Sequence, residues 1–449
     1  MYYNSHHFFW IVMRKILVSI LLPLFVSITA SNPMNFNLYK LESNPSKPVL
    51  LIMSGIQGDE PGGFNATSIF IKNYKIKSGN VWVIPNLNQY SIIKNNRGIY
   101  GDMNRKFAAL NRNDPEYELI QEIKKIILDE RVATILHLHD GSGFYREKYI
   151  SNLLNQNRWG NCSIIDQDSL FEDKDLNNKI SEVVNYINRN LLKELHRYRV
   201  KNTNAALGDK EQEKSLTYFA TLNKKMAFAN EASKNLSLNE RVYYHLLAIE
   251  GMLDNLGIKF ERNFEFNLKT IDKLINDENM DISINGIIKL PLFNLKNKLD
   301  FFPLDKNNLS FESNTPIISL SKEKQKYKIK NGNKNIAYLN PFFIEFDNGL
   351  ENAKLNVDGE ELEAKIGDII KVKNVFKIIN LDENYRVNVI GYTKKNTINE
   401  AEINIEKKDL INKFSIDKNG NKFRIEFYKK ANSEEKEKFS GMIIVDFSN

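Results

Sequence analysis

Four apolar runs limit what the first half of this chain can become: "PVLLIMSG" from Pro48, "VWVIPNL" from Val81, "VATILHLHD" from Val132 and "KMAFANEAS" from Lys225. They are continuous rather than alternating, and a strand that is apolar on both faces must be covered on both faces. The covers are present as amphipathic helical patterns over 61–74, 115–130, 178–194 and 238–256. The second of these has Asp114 as N-cap and Pro115 at the first helical position. Strand runs that alternate with helical ones predict an α/β domain from about residue 48 to residue 262.

After residue 262 the texture changes to short β-rich segments punctuated by turn signals at 330–332, 347–349, 357–359 and 418–420. Runs such as "YRVNVIGY" and "KFRIEFY" alternate with period two. Two small β-rich modules, barrel or Ig-like sandwich, are therefore expected over 263–340 and 341–449, behind a first domain over 31–262. With 63 basic residues interleaved among 56 acidic ones, the net charge of +7 forms no long single-sign block. Nucleic-acid binding is not expected, and a mildly basic protein of this kind suits an anionic envelope polymer.

Met13, Arg14 and Lys15 precede the apolar run "ILVSILLPLFVSI" and then "TASNP", the order of a secretory signal with cleavage near Ala30. Residues 1–30 are read as that signal, with Met13 as an alternative start. The apolar run is shorter than the ~20 residues a span needs, so no stable membrane span is expected after cleavage. Cys162 is the only cysteine, so no intramolecular disulfide can form and the fold must stand on its core. Export without disulfides points to the periplasm of a Gram-negative cell.

Chemistry concentrates in a few short stretches. "SGIQGDEPGG" places Gln57 and Glu60 in a glycine-rich loop just after an apolar strand. His137 and His139 end another strand on one face, where open α/β sheets carry their sites, while His196 and His245 sit in helical patterns and suit surface or core roles. Gln57, Glu60 and His139 together offer two oxygens and a nitrogen around an open position, a set able to hold a catalytic metal, although a neutral amide is a weaker donor than imidazole. "NNRGIYGDMNRKF" supplies Arg97, Asn104 and Arg105, forked donors for a carboxylate or a developing oxyanion. Glu231, near the end of the last strand run, is positioned for a general base.

In this order, Gln57-x-x-Glu60, Arg97 with Asn104-Arg105, His139 and Glu231 resemble the M14 zinc metallocarboxypeptidases over roughly residues 40–260. The resemblance extends to a branch, the cell-shape peptidoglycan DL-carboxypeptidases of helical bacteria, in which the first ligand is Gln rather than His and β-rich modules follow. It implies a mixed central sheet flanked by helices and one Zn2+ per chain on Gln57, Glu60 and His139. It also implies Asn104 and Arg105 on the substrate carboxylate, Arg97 as oxyanion donor or carboxylate binder, and Glu231 as base. His137 and Trp159 are further substrate-contact candidates, and Tyr218 is the candidate for the capping tyrosine of pancreatic-type enzymes. The implied substrate is the peptidoglycan tripeptide stem, which loses its terminal meso-diaminopimelate, with cell-shape proteins as partners through the β-rich modules. Two other readings stay open: an M14-related N-acyl amino-acid deacylase, and an inactive peptidoglycan-binding protein.

Overall fold

The computed structural model describes residues 28–29, 36–170, 174–393, 397–432 and 435–448. Apart from Ile28 and Thr29, the expected signal segment lies outside the described residues. Among the described residues no helix is long and apolar enough to cross a membrane.

The four apolar runs become neighbours in one seven-stranded sheet. Its strands are β1 (Tyr39–Glu42), β2 (Val49–Ser54), β3 (Asn80–Ile84), β4 (Val132–Gly141), β5 (Cys162–Ile165), β6 (Arg199–Asn202) and β7 (Met226–Ser233), in the order β6-β5-β7-β4-β2-β3-β1. The centre is parallel, with β3, β2, β4 and β7 running together. Strand β1 is antiparallel to β3 and β5 is antiparallel to β7, so the sheet is mixed.

Alternate residues of β2 divide between two cores, as double-sided burial requires. Leu50 and Ile52 pack with Phe70 of α1 (Pro61–Asn73), Ile180 of α4 (Leu176–Asn188) and Leu246 of α6 (Leu238–Asn255). Val49, Leu51 and Met53 pack on the other face with Ile120 and Ile123 of α3 (Tyr117–Ile127) and Ala220 of α5 (Leu216–Leu222). A short α2 (Gln89–Lys94) packs Ile92 against Phe64 of α1, and α7 (Leu268–Ile275) adds Ile271 to the first core.

Helix α3 is shorter than its pattern. It begins at Tyr117, because Asp114 spends its carboxylate on the Glu116 amide (2.8 Å) and on Lys106 (2.9 Å) instead of on a helical N–H. Helix α4 starts two residues earlier than expected, capped by Asp175, whose Oδ1 accepts from the Asn178 amide at 2.8 Å.

The remainder is β-rich. Asp281–Ile284 pairs with Ile288–Pro291 and Ser310–Ser313, while Lys298–Leu304, Lys334–Phe343, Lys326–Asn331 and Ile318–Glu323 form a second sheet. Two four-stranded sheets follow as a sandwich, led by Asn352–Val357 and by the long pair Lys422–Lys429 and Lys438–Asp446. Both modules share one continuous core, in which Phe302 and Ile329 join Phe427 and Ile443. Asp358 (φ 53) and Gly359 (φ 96) make the tight turn expected at 357–359. The signal at 347–349 is not a hairpin: Asp347 accepts from the Gly349 amide (3.1 Å) in a loop that joins the two modules.

The middle module touches the catalytic half through the hairpin turn after Asn331. Lys330 Nζ donates to the Ile93 carbonyl, and Asn333 Nδ2 donates to Asn95 Oδ1 at 2.8 Å. Gly332, at φ +54, lies flat on Phe64, and a Cβ there would stand 2.5 Å from the ring. Gly332→Val should therefore lower stability by about 1–3 kcal/mol, through left-handed strain and overpacking together. Thermal melting of the two proteins measures it.

Candidate active site

Register brings the chemistry together. Strand β7 pairs with β4 so that Glu231 lies beside His139 and Ala229 beside His137, while Met53 at the end of β2 lies on the other side of His137. The loop after β2 then carries Gln57 and Glu60 over the carboxyl ends of these strands. Gly58 lets that loop press on α2, since a Cβ there would fall 2.1 Å from the Ser91 carbonyl. The Gly58 amide donates to the Asn96 carbonyl (2.9 Å), which ties the Gln57 loop to the segment bearing Arg97.

The result is a cavity of about 260 Å³ lined by Gln57, Glu60, Arg97, Asn104, Arg105, His139, Trp159 and Glu231. Glu60 is buried and receives hydrogen bonds from Arg97 Nη1 (3.2 Å) and the Asp140 amide (3.2 Å), with Lys234 Nζ at 3.6 Å. His139 Nδ1 sits 3.0 Å from Glu60 Oε2. Burial, helped by the charges of Asp140 and Asp59, holds the Glu60 carboxyl well above the usual carboxylate range, against the pull of Lys234 and Arg97. Glu231 opens toward the cavity and is also raised, by desolvation first and then by Glu60 and Asp140. Burial pushes His139 down to about 3, with the Arg97 charge adding to the effect.

His137 and Tyr218 stand apart from the other sequence candidates. His137 is fully buried and does not line the cavity; its Nδ1 lies 3.1 Å from His139 Nε2, so it backs the His139 ring rather than meeting substrate. Tyr218 is likewise not among the lining residues; its amide donates to the Ser215 cap of α5. His196 and His245 both prove to be core residues. His196 Nδ1 bonds Tyr244 Oη at 2.9 Å, and His245 Nε2 bonds Asp140 Oδ1 at 3.1 Å.

Four acidic or basic groups escaped the sequence reading. Asp102 accepts from Gln57 Nε2 (2.9 Å), from Arg97 Nε and Nη2 (3.1 and 2.9 Å) and from the Asn104 amide (3.0 Å). Desolvation raises its pKa, but Arg97 and the Gln57 bond outweigh that and hold it low. Its position two residues before Asn104 was a readable turn signal. Lys234 adjoins Glu231 in "NEASK" and bonds Asp59 Oδ2 at 2.8 Å. Asp140 is charge-paired with Arg241 (2.8 Å) and accepts from the Gly62 amide (2.8 Å). Asp166 lines the cavity from the end of β5 and carries no sequence signature at all.

A strand-end cavity with a carboxylate, an imidazole and an Asn-Arg pair is that of a metallocarboxypeptidase, and the comparisons with known proteins narrow the class. The chain belongs to the Peptidase M99 family: the model for the "carboxypeptidase controlling helical cell shape" catalytic domain matches residues 11–276. The family's β-barrel domain matches 277–345 and the C-terminal domain of metallo-carboxypeptidase matches 346–448. Among solved structures, product-bound Cell Shape Determinant protein Csd4 from Helicobacter pylori is 46% identical, with a TM-score of 0.87, over 92% of this chain and 100% of its own. The tripeptide-bound form of the same protein matches at 46% identity and TM-score 0.86, over 92% and 100% of the two chains. Its mDAP-bound form, described as a D,L-carboxypeptidase, matches at 46% and 0.87, over 91% and 100%. None of the curated proteins matches the chain.

The residues present fit the metal that such an enzyme uses. Gln57 Oε1 is buried with no hydrogen-bond partner, because its Nε2 is committed to Asp102 and the amide is thereby oriented. That free oxygen shares the cavity with the Glu60 carboxylate and His139 Nδ1, a complete O, O, N donor set. His139 Nε2 is held by His137, the outer contact that fixes a ligating ring. Asp102→Ala should leave the Gln57 amide free to turn and weaken metal binding about 10- to 100-fold. Competition with a chromophoric chelator reads the affinity directly, and an unchanged value would remove Asp102 from the support of the site.

Proposed function

We propose that this chain is a periplasmic zinc-dependent peptidoglycan carboxypeptidase. It would remove the terminal meso-diaminopimelate from tripeptide stems by hydrolysing its amide link to γ-linked D-glutamate. The tripeptide- and mDAP-bound forms of the 46%-identical Csd4 support this substrate. The observation that carries the reading is the buried, unpartnered Gln57 Oε1 in one cavity with Glu60, His139, Glu231 and the Asn-Arg pair. Residues 1–30 act as the export signal, 31–262 carry the reaction, and 263–340 and 341–449 are the β modules.

Gln57, Glu60 and His139 would hold one zinc ion, which when bound would supply Lewis acidity toward the scissile carbonyl and toward water. Arg105 and Asn104 hold the terminal carboxylate of the substrate. Asn104 Oδ1 is already occupied by the Leu216 amide (3.1 Å), so its Nδ2 is left to donate into the cavity. Arg97 is braced by Asp102 and Glu60, next to the ligands, which suits it to the oxyanion rather than to the terminal carboxylate. Glu231, as the carboxylate, takes a proton from the attacking water and returns it to the leaving amine; desolvation and its acidic neighbours raise its affinity for that proton. Trp159, with Lys201 Nζ 3.9 Å above its ring, walls the cavity beside the stem peptide.

Purified protein incubated with muropeptides should release one diaminopimelate per tripeptide stem, read by mass, and a chelator should stop it until zinc is returned. Release of an acyl group instead would support a deacylase. Glu231→Gln should keep the zinc, measured by metal analysis, and lose about 10²- to 10⁴-fold in kcat; full activity in that variant would end the assignment. Arg105→Ala should weaken the terminal-carboxylate interaction by about 2–5 kcal/mol, seen mainly in KM.

A further inference from the structure

Lys330 has no use in the reaction above and no counter-charge in the fold. It stands in the strand Lys326–Asn331, is 3% exposed, and its Nζ donates to the Ile93 carbonyl. Among the described residues no carboxylate pairs with it. Its charged neighbours are Lys328, Glu323 and Lys94, and Glu323 already lies 3.3 Å from the Lys328 ammonium. Burial, with Lys328 adding to it, pushes the Lys330 ammonium down to about 8. An unpaired buried cation is costly, and an apolar side chain of similar length would fill the same space at less cost. Stability does not account for this lysine, so the group it holds must.

That group is the end of α2. With six residues α2 is too short to hold itself, and the carbonyls of its last turn lack helical partners and favour a cation. Lys330 supplies one at Ile93. Three residues on, Asn333 Nδ2 donates at 2.8 Å to Oδ1 of Asn95, the left-handed cap of α2 (φ 51), and reaches the Gly58 carbonyl at 3.5 Å. The Gly58 amide donates to the Asn96 carbonyl (2.9 Å), so Gly58 is held at its amide and at its carbonyl. Gly58 follows Gln57, and Asn96 precedes Arg97. A shift of the α2 end is thus passed to two of the side chains that line the cavity. A working site needs such groups within about 0.5 Å of their productive places.

We infer that Lys330 and Asn333 are positioning residues for the reaction: from the middle β module they fix the last turn of α2 and the Gly58 backbone, and through these the places of Gln57 and Arg97. This rests on the carboxypeptidase reading for what Gln57 and Arg97 do. Asn104 and Arg105 stand on a separate turn capped by Asp102, so the grip on the terminal carboxylate of the substrate does not depend on the hairpin.

The test uses Lys330→Met, which keeps the length and removes the donor, and Asn333→Ala, at a partly exposed turn position. In the full chain each should weaken zinc affinity, read by chelator competition, by about 10-fold, the lower end for an outer support of a metal site. With zinc saturating, kcat on the tripeptide should fall by about 10-fold while KM stays within about 2-fold, and Tm should not fall in Lys330→Met. Lys334→Met, on the same hairpin but bonded to Asn276 (3.1 Å), should match the wild type throughout. A variant with wild-type zinc affinity and kcat removes its residue from this role. A rise in KM at constant kcat does the same, because it reports substrate grip. Amide exchange over 54–60 and 95–99, read by mass, needs neither zinc nor substrate: faster exchange confined to these segments supports the inference, and unchanged exchange overturns it. If Lys330→Met does not fold, Asn333→Ala decides by the same readouts. Failure of the wild type to hydrolyse the tripeptide would count against the carboxypeptidase reading, while the exchange and zinc comparisons still decide this one.

Discussion

Three carboxylates meet at the carboxyl ends of neighbouring strands, and keeping them there is the constraint that shapes this site. Asp140 is fully compensated: Arg241, His245 and the Gly62 amide surround it, and burial alone would not keep it ionised. Glu60 is only partly compensated, by Arg97 and Lys234. Glu231 has Glu60 and Asp140 as its acidic neighbours, and they add to its desolvation. Like charges in a poorly solvated pocket favour a cation between them. The unpartnered oxygen of Gln57 borders the same cavity.

That balance explains why so much of the surrounding structure is given to orientation. Asp102 holds the Gln57 amide and the Arg97 guanidinium with one carboxylate and also caps the turn that presents Asn104 and Arg105. A single side chain thus couples Gln57, Arg97 and the turn of Asn104 and Arg105. The hairpin of the middle β module adds support from outside. Lys330, Gly332 and Asn333 rest on Ile93, Phe64 and Asn95, adjacent to the joint where the Gly58 amide meets the Asn96 carbonyl. The β module is therefore in mechanical contact with the catalytic loops and is not a free appendage.

Fold class was legible because burial on two faces is written directly in composition. Runs such as "VLLIM" read as a strand covered on both faces, and Asp358-Gly359 favours the positive φ that both residues adopt. Element ends were less legible. Asp114 had two uses, helix cap and local turn acceptor, and the contact with Lys106 decided between them. Likewise 347–349 contains a turn tripeptide, but its flanking strands belong to different sheets, so no hairpin forms.

The sequence by itself determined which chemical groups were available: one carboxylate, one amide and one strand-end imidazole near glycine-rich turns, together with an Asn-Arg pair and an isolated glutamate. Those groups could be gathered from spacing because each follows an apolar run that must end at the rim of a sheet. Only the tertiary structure decided which of them meet. The register of β7 on β4 sets Glu231 against His139, and a shift by one residue would have turned it to the opposite face. The same packing buried His137 behind His139, and the pairing of β5 with β7 brought Asp166 into the cavity. Strand pairing is a long-range choice made by the whole core, and no local pattern around Asp166 records it.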